Sequence, residues 1–261
     1  MNDQNIILYE VKGKISIITL NRPPIHAFNL ELMKNLNEKL EEADNDDKTT
    51  CVLLKSTGTR IFSAGLDLNV PVDADPDYLD KLVEYFKRNN QKMLLMKKPI
   101  IVQVQGSAIG YGILMILASD LRIFADRPIK EMFFRLPEIA LKMYPKAGAT
   151  ILPLLTFGLS YTKQILLTAD KFGLEELKNL NIPTRVVPLD ELETETLKFA
   201  KILSRRMFSF PSLIKTSLNI MNNKFIERWF NLEDECGKIA YEKNSQKQLG
   251  DIINNIYKRY S

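Results

Sequence analysis

The sequence predicts an α/β fold: a mostly parallel sheet flanked by helices, followed by a helical C-terminal region. Three observations carry that prediction. Residues 100–125, "IIVQVQGSAIGYGILMILASDLRIFA", run strand, glycine-rich turn, apolar helix and strand in the tight order of a crossover unit. Two short apolar runs, "IILYE" and "ISIITL", flank the turn residues Lys12 and Gly13 and predict a hairpin. From Gly148 onward helical spacing dominates, broken by one short strand, "TRVV".

The elements between these landmarks follow from local pattern. After the hairpin, Asn29 is placed to cap a helix whose apolar residues Leu32, Met33, Leu36, Leu40 and Ala43 recur at helical spacing. Glu31, Lys34, Glu38 and Lys39 face outward, and the acidic run "DNDD" ends the helix. "CVLLK" predicts a buried strand closed by the turn "STGT", leading into "IFSAGLDL". "NVPVDADPD", rich in Asp and Pro, predicts an exposed, mobile loop. Over residues 78–96, Leu79, Leu82, Val83, Phe86, Met93 and Leu94 mark an amphipathic helix that "KKP" terminates. Past Gly148 come helices at "ATILPLLTFG", "YTKQILLT" and "LEELKNL", then three longer helical segments from Leu189 to the end.

Composition narrows the function classes. The 261 residues are 45% hydrophobic and 26% charged, ordinary for a chain with one large core. The net charge of +4 arises from 36 basic and 32 acidic residues scattered along the chain, with no basic run dense enough to track nucleic acid. Cys51 and Cys236 lack disulfide-framework and metal-ligand spacing, and predict reduced thiols. A single histidine, His26, argues against zinc sites and Ser-His or Cys-His pairs, so no metal is expected. The N-terminus opens directly into strand pattern, and the apolar run at 113–118 is too short for a bilayer, so a cytoplasmic protein without membrane partners is expected.

Glycine placement supplies the functional signal. Gly106, Gly110 and Gly112 form neither G-x-G-x-x-G nor a phosphate loop, and Ser107 is not in a G-x-S-x-G elbow. They do open a helix at the end of a strand, where free N–H groups make either an anion site or a packing corner. "FSAGLDL" supplies a second corner, with small Ala64 and Gly65 leaving a strand. Two such corners can each give one N–H to a single carbonyl oxygen and stabilise an enolate. The apolar helix behind them, with no polar face, keeps such a site dry.

"NRPPIHAFNLELM", "FSAGLDL", "KPIIVQVQGSAIGYG", "ASDLRIFAD", "LPEIAL" and "QILLTADKFGLEEL" together resemble the crotonase superfamily, the enoyl-CoA hydratases and isomerases, over nearly the whole chain. The resemblance implies a spiral of strand-strand-helix units over residues 1–195. It also implies a helical C-terminal trimerisation region over 196–261, with a homotrimer or hexamer as the assembly. It implies an acyl-CoA thioester substrate, coenzyme A being part of the substrate and no further cofactor being needed. It further implies that the substrate is held at Ala64, Gly65, Leu66, Asp67, Leu68, Gly110 and Tyr111, with the two oxyanion N–H groups belonging to Ala64 and Tyr111.

The acidic positions then choose between reactions. Hydratases of this family use two glutamates, and the position of the first is occupied here by Leu114. The second is present as Glu138 in "RLPEIAL", where apolar neighbours favour a raised pKa. One base suffices to move a double bond, so the pattern looks most like the 3,2-trans-enoyl-CoA isomerases, with Glu138, Ala64 and Tyr111 as the catalytic set. A hydratase or dehydratase, and a non-catalytic acyl-CoA-binding or assembly subunit, are the alternatives.

The remaining candidates carry mostly structural expectations. Relatives usually have glycine at position 111, and the Tyr111 phenol is expected to wall the pocket rather than fill the core. Glu131 is expected to be a solvated loop charge rather than a second acid, and Tyr144 to pack rather than line the site. His26 is expected to be a hydrogen-bonded structural imidazole. Lys258 and Arg259 match a basic pair that in relatives approaches the CoA phosphates, or are simply solubilising charges.

Overall fold

The computed structural model describes residues 5–69, 77–206, 209–220 and 223–241. The exposed loop expected at 69–77 lies mostly outside the described residues, and Lys258 and Arg259 lie wholly outside them.

β1 (Ile7–Lys12) and β2 (Ile15–Leu20) form the predicted antiparallel hairpin. α1 (Leu30–Asn45) starts where expected, with Asn29 Oδ1 accepting from the Leu32 N–H at 2.9 Å. β3 (Cys51–Ser56), β5 (Ile100–Val104), β7 (Leu121–Ala125) and β9 (Arg185–Val187) extend the hairpin into a six-stranded sheet, order β1-β2-β3-β5-β7-β9. Every pairing beyond the hairpin is parallel. Such a sheet is covered on both faces, which is why β2 and β5 are buried at every residue instead of alternating.

The sequence pattern did not reveal a second sheet. β4 (Ile61–Ser63), β6 (Ser107–Ile109) and β8 (Phe134–Arg135) pair in parallel, in the order β4-β6-β8. From β3 onward, each pair of successive strands, β3 and β4, β5 and β6, β7 and β8, gives one strand to the large sheet and one to the small sheet. α2 (Tyr78–Leu95) follows β4 and α3 (Tyr111–Ala118) follows β6. The turn between β5 and β6 needs Gly106 for space, since a Cβ there would lie 2.2 Å from the Arg60 carbonyl oxygen.

Ile18, Leu20, Leu54 and Val102 point from the large sheet into the core under α1, α2 and α3. Ile15, Ile17, Leu53 and Ile101 point the other way, against Leu192 and Ala200 of α7 (Leu192–Ser204). Each such side chain contributes about 1.5–3 kcal/mol by leaving water. Residue 195, where the boundary between core and helical region is expected, thus falls inside a helix that covers the sheet.

Two buried charges tie that region down. Lys215 of α8 (Ser209–Ile220) donates to the carbonyls of Met93 and Lys98 and to Asp120 Oδ2, at 2.8, 3.0 and 2.8 Å. Glu233 of α9 (Asn223–Ala240) accepts the N–H groups of Gly148, Thr150 and Ile151, which open α4 (Ile151–Phe157). Among the described residues no helix is long and apolar enough to cross a membrane.

Candidate active site

The three strands of the small sheet run parallel, so their C-terminal ends share one edge, the edge where open parallel sheets bind ligands. β4 ends at Ser63 and leads into Ala64, Gly65 and Leu66. β6 ends at Ile109 and leads into Gly110 and Tyr111, and β8 ends at Arg135, three residues before Glu138. The register pairs Ser63 with Ala108 and Ile109 with Arg135, and the Gly110 N–H donates to the Arg135 carbonyl at 2.9 Å. Both glycine corners and the carboxylate predicted from sequence are therefore brought together.

In the first corner the donor assignment needs correction. The Ala64 N–H is committed to the Ile25 carbonyl at 2.9 Å, and the Gly65 N–H to Ser63 Oγ at 3.1 Å. Gly65's carbonyl accepts from the Phe28 N–H at 2.7 Å. Because a trans peptide points its C=O and the next N–H in opposite directions, the Leu66 N–H faces away from Phe28. Among the described residues it donates to nothing, so Leu66, not Ala64, carries the free donor.

In the second corner Gly110 adopts φ 52°, ψ −122°, and its carbonyl accepts from the Ile113 and Leu114 N–H groups at 2.9 and 3.4 Å. The same trans geometry turns the Tyr111 N–H outward from the start of α3, where the helix dipole adds positive potential. Gly65 is the joint between the corners. A Cβ there would lie 2.5 Å from the Ile109 carbonyl oxygen and 3.4 Å from the Tyr111 nitrogen, and its φ of +80° suits glycine.

Glu138 opens a 3₁₀ turn, Glu138–Leu141, fixed by its own carbonyl accepting the Met143 N–H at 2.8 Å. Its Oε1 stands 3.6 Å from where a Gly110 Cβ would be, so the carboxyl overlies the second corner. Oε2 is shielded from solvent and has no hydrogen-bond partner among the described residues. Burial pushes the carboxyl up to about 7, against a smaller lowering by its own backbone N–H.

No second acid accompanies it from α3, whose eight residues, Leu114 included, are all buried and none of them acidic. Glu131 is exposed and paired with Arg127 at 3.0 Å, the solvated charge expected. Asp67 pairs with Arg22 at 2.7 Å; burial raises its carboxyl, but the Asn69 N–H and Arg22 outweigh this and hold it low. Leu68 is largely exposed beside it.

The Tyr111 phenol corrects the pocket-wall expectation. It is buried in the core, stacked on Phe86 at 4.1 Å and edge-on to Phe28 at 5.1 Å, and its hydroxyl donates to the Phe86 carbonyl at 3.1 Å. Tyr144 packs as expected: its N–H donates to Tyr241 Oη at 2.9 Å, and burial raises the pKa of its hydroxyl. His26 Nδ1 accepts the Arg22 N–H at 3.2 Å, so Nε2 carries the proton toward the Thr57 carbonyl at 2.8 Å, and burial lowers its pKa. It is a structural imidazole. Ser63 and Arg22 were missed from sequence, since their partners lie 37 and 45 residues away.

Comparison with known proteins identifies the family. The enoyl-CoA hydratase/isomerase family model matches residues 10–247, and the chain belongs to that family. It is 30% identical over 201 residues to YngF of Bacillus subtilis, covering 76% of this chain and 75% of that one. It is 27% identical to the short-chain-enoyl-CoA hydratase of Clostridium acetobutylicum, covering 84% and 81%. The crystal structure of enoyl-CoA hydratase from Bacillus halodurans superposes with a TM-score of 0.83 at 20% identity, over 94% and 98% of the chains. The fold is the α/β crotonase fold, and the family is one of enzymes.

Proposed function

We propose that the chain is an enoyl-CoA isomerase that moves a double bond from C3 to C2 of an acyl-CoA thioester. The observation that carries this reading is a shielded carboxyl with one unpartnered oxygen, poised near neutrality beside two free N–H groups, with a leucine, Leu114, at the first acidic position of the hydratases.

The Glu138 carboxylate takes a proton from C2, and the electron pair released becomes a dienolate whose charge rests on the thioester oxygen. The Leu66 and Tyr111 N–H groups hold that oxygen, already oriented before charge develops. Glu138 then returns the proton at C4, leaving the double bond between C2 and C3. Nothing is oxidised, and water is neither added nor lost.

A hydratase is the second reading, favoured by the hydratase name of the Clostridium relative. Hydration calls for an activated water, and Glu131, the alternative acid, is engaged with Arg127. Purified protein given 3-enoyl-CoA and 2-enoyl-CoA separately decides between them. Isomerisation converts the first into the conjugated thioester, whereas consumption of the second alone, with 3-hydroxyacyl-CoA appearing, rejects the isomerase.

The assembly is proposed to be a homotrimer, or a hexamer of two trimers. Phe210, Leu213 and Ile214 lie at helical spacing on α8 and are each about 60% exposed, an apolar stripe that a second copy would cover. Light scattering is expected to give three or six chain masses, and a monomer would contradict it.

A further inference from the structure

We infer that Ser63 is a positioning residue that sets the direction of both oxyanion donors; this rests on the isomerase reading above. Its hydroxyl is buried between three segments and does two things. It donates to the His26 carbonyl at 2.8 Å and accepts the Gly65 N–H at 3.1 Å.

The second bond fixes the plane of the Ala64–Gly65 peptide. The first, with the Ala64 N–H on Ile25, pins that corner to the 22–28 segment. From the same segment, the Phe28 N–H holds the Gly65 carbonyl, and so turns the Leu66 N–H outward. Arg22 adds a bracket, donating to the Ala27 carbonyl at 2.8 Å and to Asp67 at 2.7 Å.

Ser63 also supports the other corner. A Cβ on Gly112 would lie 2.9 Å from the Ser63 carbonyl oxygen and 3.0 Å from its Cβ, so the first turn of α3, which presents the Tyr111 N–H, rests directly on this residue. One residue therefore backs both donors without touching the substrate, its hydroxyl holding the first corner and its backbone carbonyl and Cβ bearing the second. Loss of its hydroxyl frees the Gly65 N–H and leaves the Phe28 bond alone to hold the Leu66 peptide, whose donor then swings more freely.

Positioning of this kind acts on the charged transition state more than on ground-state binding. Ser63→Ala is expected to lower kcat for isomerisation by about 10- to 100-fold with little change in KM. The pH midpoint set by Glu138 is expected to stay in place.

The decisive readout uses two ligands. Acetoacetyl-CoA, a thioester whose enolate absorbs in the near ultraviolet, is expected to lose that enolate band on the variant. Butyryl-CoA, which carries no charge at its carbonyl, is expected to bind as in the wild type. Ser63→Cys keeps a weak acceptor of similar size and is expected to fall between, and it carries the test if the alanine variant does not fold.

Wild-type turnover and enolate band in both variants would overturn the inference, as would equal loss of affinity for the two ligands. A wild-type protein that neither isomerises nor enolises would instead bring down the isomerase reading, and this inference with it.

Discussion

Glu138→Gln is expected to lower kcat for double-bond migration by about 10² to 10⁴-fold, the contribution of a positioned base. KM is expected to change little, because the shielded carboxyl oxygen has no hydrogen-bond partner to lose. The carboxylate is the active form and its pKa is raised to about 7, so wild-type kcat/KM rises with pH and levels off above that value. The stability linkage has the opposite sign. A carboxyl raised from 4.5 to about 7 favours the folded state while protonated, and that contribution is lost as pH climbs through 7. Against the glutamine variant, the wild type should therefore lose melting temperature progressively between those two pH values. A flat difference in melting temperature would mean that Glu138 is solvated.

Gly65→Ala is expected to cost about 10² to 10³-fold in kcat, the scale of losing one oxyanion donor, together with a lower melting temperature. The new Cβ would sit 2.5 Å from the Ile109 carbonyl oxygen at a backbone φ of +80°. Both corners must move apart to admit it, and the left-handed conformation adds about 1–3 kcal/mol of strain. Steady-state kinetics alongside thermal melting separates the two effects: a folded variant with wild-type kcat would show that the corners do not form the oxyanion hole.

Where sequence and structure agree, the determining interactions are local. The hairpin follows from two apolar runs around Gly13, the first long helix from Asn29 and its spacing, the crossover from one continuous stretch between Ile100 and Ala125. Glu138 was legible because "LPEIAL" resembles a family motif, and its raised pKa because its neighbours are apolar. The small sheet was not legible, since strands of two or three residues are too short for periodicity to register. From sequence the free N–H is expected at Ala64 because both it and Leu66 belong to the same motif. Which N–H is free depends on Ile25 and Phe28, residues far away along the chain that claim the other groups of the corner. The Tyr111 phenol likewise turns inward through its contact with Phe86, 25 residues earlier and on a different helix.

A crystal structure of the Glu138→Gln protein with 3-enoyl-CoA bound tests the central claim most directly. The thioester oxygen is expected roughly 2.7–3.1 Å from the nitrogens of both Leu66 and Tyr111, with C2 against the residue-138 side chain and no ordered water between them. A thioester bound away from these two nitrogens, or a residue-138 side chain turned out to solvent, would contradict it.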